Sequence, residues 1–315
     1  MFGVVIPYFQ RAEGVLARSL ASVAAQDVEC PVRVVIVDDE SPVPAELEVE
    51  KVRFPPNIRV EVIRQKNSGP GAARNTALDV LGDESYIAFL DSDDEWEPFH
   101  LSSALHAFEH GFDYYTAETI EGDSGYRRHA DYFNGALPLI PCLSAPWAQE
   151  LAEPLINFTV WGPISGSSTF IVRNSLIGDT RFCRSLRTAG EDGLFATMLA
   201  AKGPRVMIST RTDVVLGKGV NIFSEGDWGS RSGTLRSIYF LRSRLMMRPL
   251  VRDFPVARIR VEERIQKARR ELCKSAFANL RRGCFPWAEF RSVLAVDPVL
   301  LRVAPSVIFD LVLKR

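Results

Sequence analysis

Residues 86–96 read YIAFLDSDDEW: an apolar run of strand length that ends in three carboxylates within four residues, Asp91, Asp93 and Asp94. Clustered carboxylates repel one another, so the arrangement is costly unless a cation or several donors neutralise it. Hard oxygen ligands point to Mg²⁺ or Mn²⁺, with substrate phosphates and waters completing the shell. A solvated acidic turn that caps a helix starting near Pro98 is the competing reading, since Asp and Ser suit that place. A calcium EF-hand does not fit: counted from Asp91, Trp96 falls where Gly is needed and Ser102 where the bidentate Glu belongs.

Upstream, further short apolar runs lie at VVI near Val4, RVVIVD from Arg33 and RVEVI from Arg59, with helical patterns at Val15–Ala25, Gly71–Leu81 and Pro98–His110 between and after them. Strand-helix alternation of this kind predicts an α/β fold with a mainly parallel sheet flanked by helices, whose sites lie at the carboxyl ends of the strands. The groups that directly follow the strands, Pro7-Tyr8, Asp38-Asp39 and Asp91 to Asp94, are thereby expected to converge on one edge. Residues 122–163 show no sustained period and are expected to be irregular and to shape an acceptor site. Order returns with STFIV (Ser168–Val172), a helix at Asp192–Ala201 and a strand at Thr212–Leu216; from Gly233 the chain reads as helices. The division is a catalytic domain over residues 1–230 and a helical appendage over 231–315.

Two further segments carry chemistry. In VIVDDES one of Asp38 and Asp39 is placed to accept a hydrogen bond from a nucleobase imide, the other to structure the following turn. In NSGPGAARNTAL (Asn67–Leu78) a Gly-Pro-Gly turn opens a helix bearing Arg74, a natural neighbour for a base edge or an anionic phosphate; pairing of Arg74 with Asp39 or Asp91 is the plain structural alternative. Further on, Glu191-Asp192 opens an amphipathic helix. Acidic residues suit a helix amino end for dipole reasons alone, yet sugar transfer also needs a carboxylate to take the proton of an acceptor hydroxyl.

The net charge of −1 conceals an asymmetry: residues 1–230 hold 19 Lys/Arg against 32 Asp/Glu, while 231–315 hold 19 against 7, giving −13 and then +12. A basic tail predicts an anionic surface as partner, either the cytoplasmic face of a membrane or the acidic body and a second copy of the chain. Nucleic acid is excluded as a partner, because no nucleic-acid-binding motif accompanies the charge. Five scattered cysteines fit free thiols in a reducing compartment. With no basic segment ahead of FGVVIP and no uninterrupted apolar span, the expected location is cytoplasmic, peripheral at the inner face of the plasma membrane.

VVIPYF, VIVDDES, NSGPGAARNTAL, FLDSDDEW and GEDGLF, in this order, resemble family 2 glycosyltransferases with the GT-A fold. A narrower likeness to the succinoglycan-type exopolysaccharide glucosyltransferases rests on VVIPYFQRAEGVLARSLASVAAQ, VIVDDESPVP, IRQKNSGPGAARNTALD and LGKGVNIFS. The resemblance implies an inverting transfer of a sugar, glucose from UDP-glucose by the narrower likeness, to a saccharide or lipid-linked acceptor in exopolysaccharide synthesis. It places Pro7, Tyr8 and Ser92 against the donor, Asp39 on the uracil, Arg74 beside the base or diphosphate, and Glu191 by the substrate. Asp91 falls to the ribose or a metal-bound water, Asp93 to the metal, and Asp192 to the role of base; metal ligation is shared among Asp91, Asp93 and Asp94. Members often carry a His after the last core strand, whereas KGVNIFSEGDW has none, so Lys218, Asn221 or Ser224 would substitute. Two rival readings are a nucleotidyltransferase acting on a sugar phosphate, for which PYFQRAEG is a poor phosphate loop, and a non-catalytic nucleotide-sugar binder, against which the Glu191-Asp192 pair speaks.

Overall fold

The computed structural model describes residues 1–122, 124–162, 164, 166–217, 230–283 and 285–313. Its ten strands are β1 (Phe2–Tyr8), β2 (Val32–Asp38), β3 (Ile58–Arg64), β4 (Tyr86–Phe89), β5 (Glu95–Trp96), β6 (Tyr114–Glu121), β7 (Leu139–Pro141), β8 (Ala148–Leu151), β9 (Phe170–Arg173) and β10 (Val206–Leu216). They form one sheet in the order β3-β2-β1-β4-β9-β6-β10-β8-β7, with β5 paired to β10. The leading half is parallel, with β1 between β2 and β4. β6 and β10 also pair in parallel, and only β5, β8 and β9 run against the common direction.

Alternation of side chains along each strand feeds two apolar layers. Val4, Ile6, Val34 and Ile36 face one side, packed with Leu16 and Leu20 of the helix Val15–Ala24. Val5, Val35 and Val37 face the other, against Ala73 and Ala77 of the helix Pro70–Val80 and Leu194 and Phe195 of the helix Glu191–Ala200. Burial on both faces is why these runs read as continuously apolar rather than alternating.

The helices Arg231–Met247 and Pro255–Arg282 extend this second layer: Ile238, Leu241, Met247, Val261 and Ile265 are fully buried in the same cluster as the sheet residues. The basic tail is thus packed on the body. Among the described residues no helix is long and apolar enough to cross a membrane.

Candidate active site

Strands β1, β2 and β4 end side by side, and the turn residues beyond them divide the labour. Asp38 accepts hydrogen bonds from the backbone N–H groups of Ser41 (2.7 Å) and Ala45 (3.1 Å), closing the turn into the following helix. Asp39 takes Gln65 Nε2 (2.7 Å) and Ser68 N–H (2.8 Å) on Oδ1 and Gly69 N–H (2.8 Å) on Oδ2, so it supports the loop that precedes the Pro70 helix. Gly69 has φ +89°, and a Cβ there would lie 3.3 Å from Arg187 O, two reasons for glycine at this turn. Pro7 is half-buried, whereas the Tyr8 ring is turned into the core and its hydroxyl is pushed up to about 12 by burial. Ser92 is buried and accepts a hydrogen bond from Gln10 Nε2 at 3.1 Å.

The acidic turn is held from three sides. Asp91 N–H donates to Ser168 Oγ (3.0 Å), and the Ser168 hydroxyl in turn donates to Asp94 Oδ2. Gly217 N–H donates to Asp94 Oδ1 (2.9 Å), and the Trp96 indole N–H donates to Ser168 O (2.8 Å). At Gly217 the end of β10 presses on the turn so closely that a Cβ would sit 1.6 Å from Asp93 O. Burial, then the charges of Asp91 and Asp93, push the Asp94 carboxyl up to about 7. With both Asp94 oxygens occupied, Asp93 and Asp91 are the carboxylates of the motif that keep appreciable exposed surface.

Arg74 joins this turn to the second acidic pair. Its guanidinium is 4% exposed and reaches Asp91 Oδ1 at 2.6 Å and Glu191 Oε1 at 3.2 Å, with its carbon 5.2 Å from the centre of the Phe182 ring. Burial alone would lower its pKa; the carboxylates of Asp91 and Glu191 outweigh that and raise it. Asn75 exchanges two hydrogen bonds with the Phe182 backbone (2.9 and 2.8 Å), which fixes the Pro70 helix against that segment. A Cβ on Gly71 would lie 3.3 Å from both Glu191 Cγ and Phe182 Cβ, so glycine permits the close approach. Burial, and next to it Asp192, push the Glu191 carboxyl up to about 7 against the pull of Arg74.

Asp192 is half-buried at the start of its helix, and its Oδ1 accepts the N–H of Gly193 at 2.7 Å. Its charge is felt at both Arg74 and Glu191. The structure therefore gathers Arg74, Asp91, Glu191 and Asp192 around one spot at the carboxyl edge of the sheet, where α/β proteins bind ligands. Asp39 is bonded to the Gly69 turn and makes no bond to these four residues. Lys218, Asn221 and Ser224 lie outside the described residues. Ser168, Gly217 and Gln10 were not singled out from the sequence: a Ser opening STFIV and a Gly beyond an apolar strand are common features with no chemical signature of their own.

An open Mg²⁺ or Mn²⁺ site uses one or two carboxylates plus substrate phosphates and water, and Asp93 with Asp91 suits that donor set. Among the described residues no group of three or more acids, histidines or cysteines forms a closed cage.

Carboxylates and an arginine gathered at the carboxyl edge of an α/β sheet mark a ligand-binding edge, and comparison with known proteins gives the family. A family model described as "Glycosyl transferase family 2" matches residues 3–154. The succinoglycan biosynthesis protein ExoW of Rhizobium meliloti (strain 1021) is 38% identical over 233 residues, 71% of this chain and 71% of its own length. The chain belongs to the family 2 glycosyltransferases. The minor teichoic acid biosynthesis protein GgaA of Bacillus subtilis (strain 168) is 35% identical over 34% of this chain and 25% of its own. Among solved structures, S. aureus TarS residues 1–349 in complex with UDP superposes with TM-score 0.58 at 21% identity, covering 100% of this chain and 92% of that one. The mannosyltransferase PcManGT from Pyrobaculum calidifontis, in complex with GDP-Man and Mn²⁺, gives 0.58 at 16%, covering 99% and 86%. These likenesses are in the GT-A fold.

Proposed function

We propose that the chain transfers a sugar, with inversion and dependence on a divalent metal, from a UDP-sugar to a saccharide acceptor in polysaccharide synthesis. Glucose as the donated sugar follows from the motif likeness to succinoglycan-type glucosyltransferases. The observation that carries the reading is the Arg74 guanidinium bonded at once to Asp91 and Glu191, which ties the metal-motif turn to the helix that presents Asp192.

In this reading Asp39 accepts from the uracil imide through Oδ2, which has one protein donor, and Pro7 walls the base. The backbone at Tyr8 and Ser92 completes that wall. Asp93, aided by Asp91, would hold Mg²⁺ or Mn²⁺, which supplies positive charge against the diphosphate. Arg74 holds Asp91 in place and adds its own charge behind it. Asp192 takes the proton of the acceptor hydroxyl as that oxygen bonds to the anomeric carbon. The bond from that carbon to UDP breaks on the opposite face, and its electron pair leaves with the β-phosphate. Glu191, neutral over much of the acid range, can sit beside Asp192 without adding full repulsion.

The acceptor is lipid-linked in this reading, and the protein is peripheral at the cytoplasmic face of the membrane. Trp287, Leu301 and Phe309 are exposed on the outer surface of the basic helical tail, a combination suited to an anionic leaflet. Family membership and the placement of Asp192 favour sugar transfer over nucleotidyl transfer or simple binding. A panel of nucleotide sugars with Mn²⁺ or Mg²⁺, followed by UDP release, is expected to give turnover with a UDP-hexose. Asp192→Asn is expected to lower that turnover by roughly 10²- to 10⁴-fold while UDP still binds; near-normal turnover in the variant removes the base assignment.

A further inference from the structure

The helix Arg231–Met247 does more than cover the core, because it docks on the first turn of the helix that carries Asp192. Ser243 Oγ donates to Gly190 O at 2.8 Å, and Gly190, at φ +84°, passes so close that a Cβ there would lie 2.8 Å from Ser243 Cβ. This contact places the next residue, Arg244, beside the active-site edge: a Cβ on Gly193 would be 3.7 Å from its Nη1. Arg244 is half-buried and its Nη1 donates to the thioether of Met247 at 3.5 Å, a weak acceptor. It forms no ion pair with Asp192 within 4.0 Å, although it feels that carboxylate's charge. Arg264, from the helix Pro255–Arg282, adds a second positive charge near Arg244 and donates to the hydroxyl of Tyr132, which itself donates to Trp161 O at 3.1 Å.

Other arginines of the protein are neutralised by acids, although Arg211 and Arg260 lie over aromatic rings instead. Arg269 is gripped at 2.7 and 2.7 Å by Asp297, Arg248 at 2.7 and 2.7 Å by Glu262, and Arg74 holds two carboxylates. Arg244 and Arg264 instead face each other's charge with a thioether and a phenol as partners. Sheltered like charges without a counter-ion are costly, and a guanidinium fork matches phosphate or carboxylate oxygens. Burial first, and then Arg264, lower the pKa of Arg244, while Asp192 and Tyr132 pull the other way.

We propose that Arg244 and Arg264, beside Asp192 and the aromatic residues Tyr132 and Trp161, form an anion subsite that recognises an acidic group, phosphate or carboxylate, on the sugar acceptor. The proposal rests on Asp192 as the acceptor's base, since it is this that makes the tail side of the site the acceptor side. It gives the basic tail a role in specificity: the acceptor's charge supplies what the two arginines lack, and its hydroxyl is thereby led to Asp192.

The test is titration of inorganic phosphate and, separately, of glucuronate into the full-length protein already saturated with UDP and Mn²⁺, so that the donor phosphate site is filled. Saturable binding of at least one anion is expected, weakened about tenfold or more in Arg244→Met and in Arg264→Met and partly restored in Arg244→Lys. Preference for phosphate or glucuronate identifies which acid the acceptor carries. Asp192→Asn keeps anion binding; if it also keeps turnover, the base reading fails while the subsite stands. No saturable binding with UDP in place, or equal binding in both methionine variants when they unfold at the wild-type temperature, overturns the proposal. So does a parallel loss of UDP affinity in those variants, which would assign the pair to the donor.

Discussion

Replacing Arg74 with Met removes the cation that links Asp91 to Glu191 while keeping an unbranched side chain of similar length. The two arms are unequal. Glu191 is 9% exposed and its partner 4%, so breaking that pair strands a sheltered carboxylate, a change that costs about 3–5 kcal/mol when the charge remains. Asp91 is 36% exposed, and its arm is screened to about 1 kcal/mol or less. The cost then depends on pH through Glu191. Its native carboxyl, raised to about 7 from a reference of 4.5, contributes stability that is present below about 4.5 and is lost as pH rises through about 7. Without Arg74, which pulls that value down, the carboxyl rises further and the loss reaches to higher pH. The penalty of Arg74→Met is therefore expected to be about 1–2 kcal/mol at pH 5, where chiefly hydrogen bonds are lost, and about 2–3 kcal/mol at pH 8, because one pH unit above a carboxyl at about 7 adds at most about 1.4 kcal/mol. Urea unfolding at the two pH values measures both, and adding Glu191→Gln should remove most of the difference between them. A penalty below about 1 kcal/mol at pH 8, or one equal at both pH values, would refute the bridging role.

Two further outcomes follow from packing. Gly217→Ala sets a methyl 1.6 Å from the Asp93 carbonyl; the acidic turn must shift, and UDP release should fall by about 10²-fold with an overpacking loss of about 1–3 kcal/mol by thermal unfolding. Removal of residues 231–315 uncovers Ile238's and Leu241's partners in the shared core, so the remaining 1–230 fragment should show no cooperative unfolding transition by circular dichroism, in contrast to a freely detachable appendage.

The catalytic half of the fold was legible because its strands are buried on both faces: VVI, RVVIVD, RVEVI and YIAFLD lie within β1 to β4 or run just past their ends, and the helices match to within a residue or two. β6 leaves no apolar signature, since DYYTAETIE mixes polar with aromatic residues: Thr116, Glu118 and Thr119 are all buried, Thr116 bonded to Thr169 and Glu118 to the backbone of Thr119 and His129. Residues 122–163, expected to be irregular, contain the short strands β7 and β8 and the helix Arg128–Phe133, elements too brief to leave a period.

At the site, the sequence displayed the carboxylates but not their division of labour. Which of Asp38 and Asp39 structures the turn depends on the loop Gln65–Gly69, 26 to 30 residues away. That Arg74 reaches Glu191 as well as Asp91 depends on a partner 117 residues distant. The same holds for Arg244, whose meaning appears only once Ser243 is seated on Gly190. A basic tail read as a charge sum pointed to a membrane, to the acidic body or to a second copy; the tail packs on the body and sets Arg244 beside the helix of Asp192.

In the proposed mechanism the turn Asp91–Asp94 grips a diphosphate through a divalent cation held by Asp93. Isothermal titration of UDP into the wild-type protein and Asp93→Asn, each with and without Mn²⁺, tests it most directly. Mn²⁺ is expected to tighten UDP binding by about tenfold or more in the wild type, as for a cation shared between carboxylate and phosphate, and to leave the variant unchanged. Equal UDP affinity in the wild type with and without the metal would contradict it.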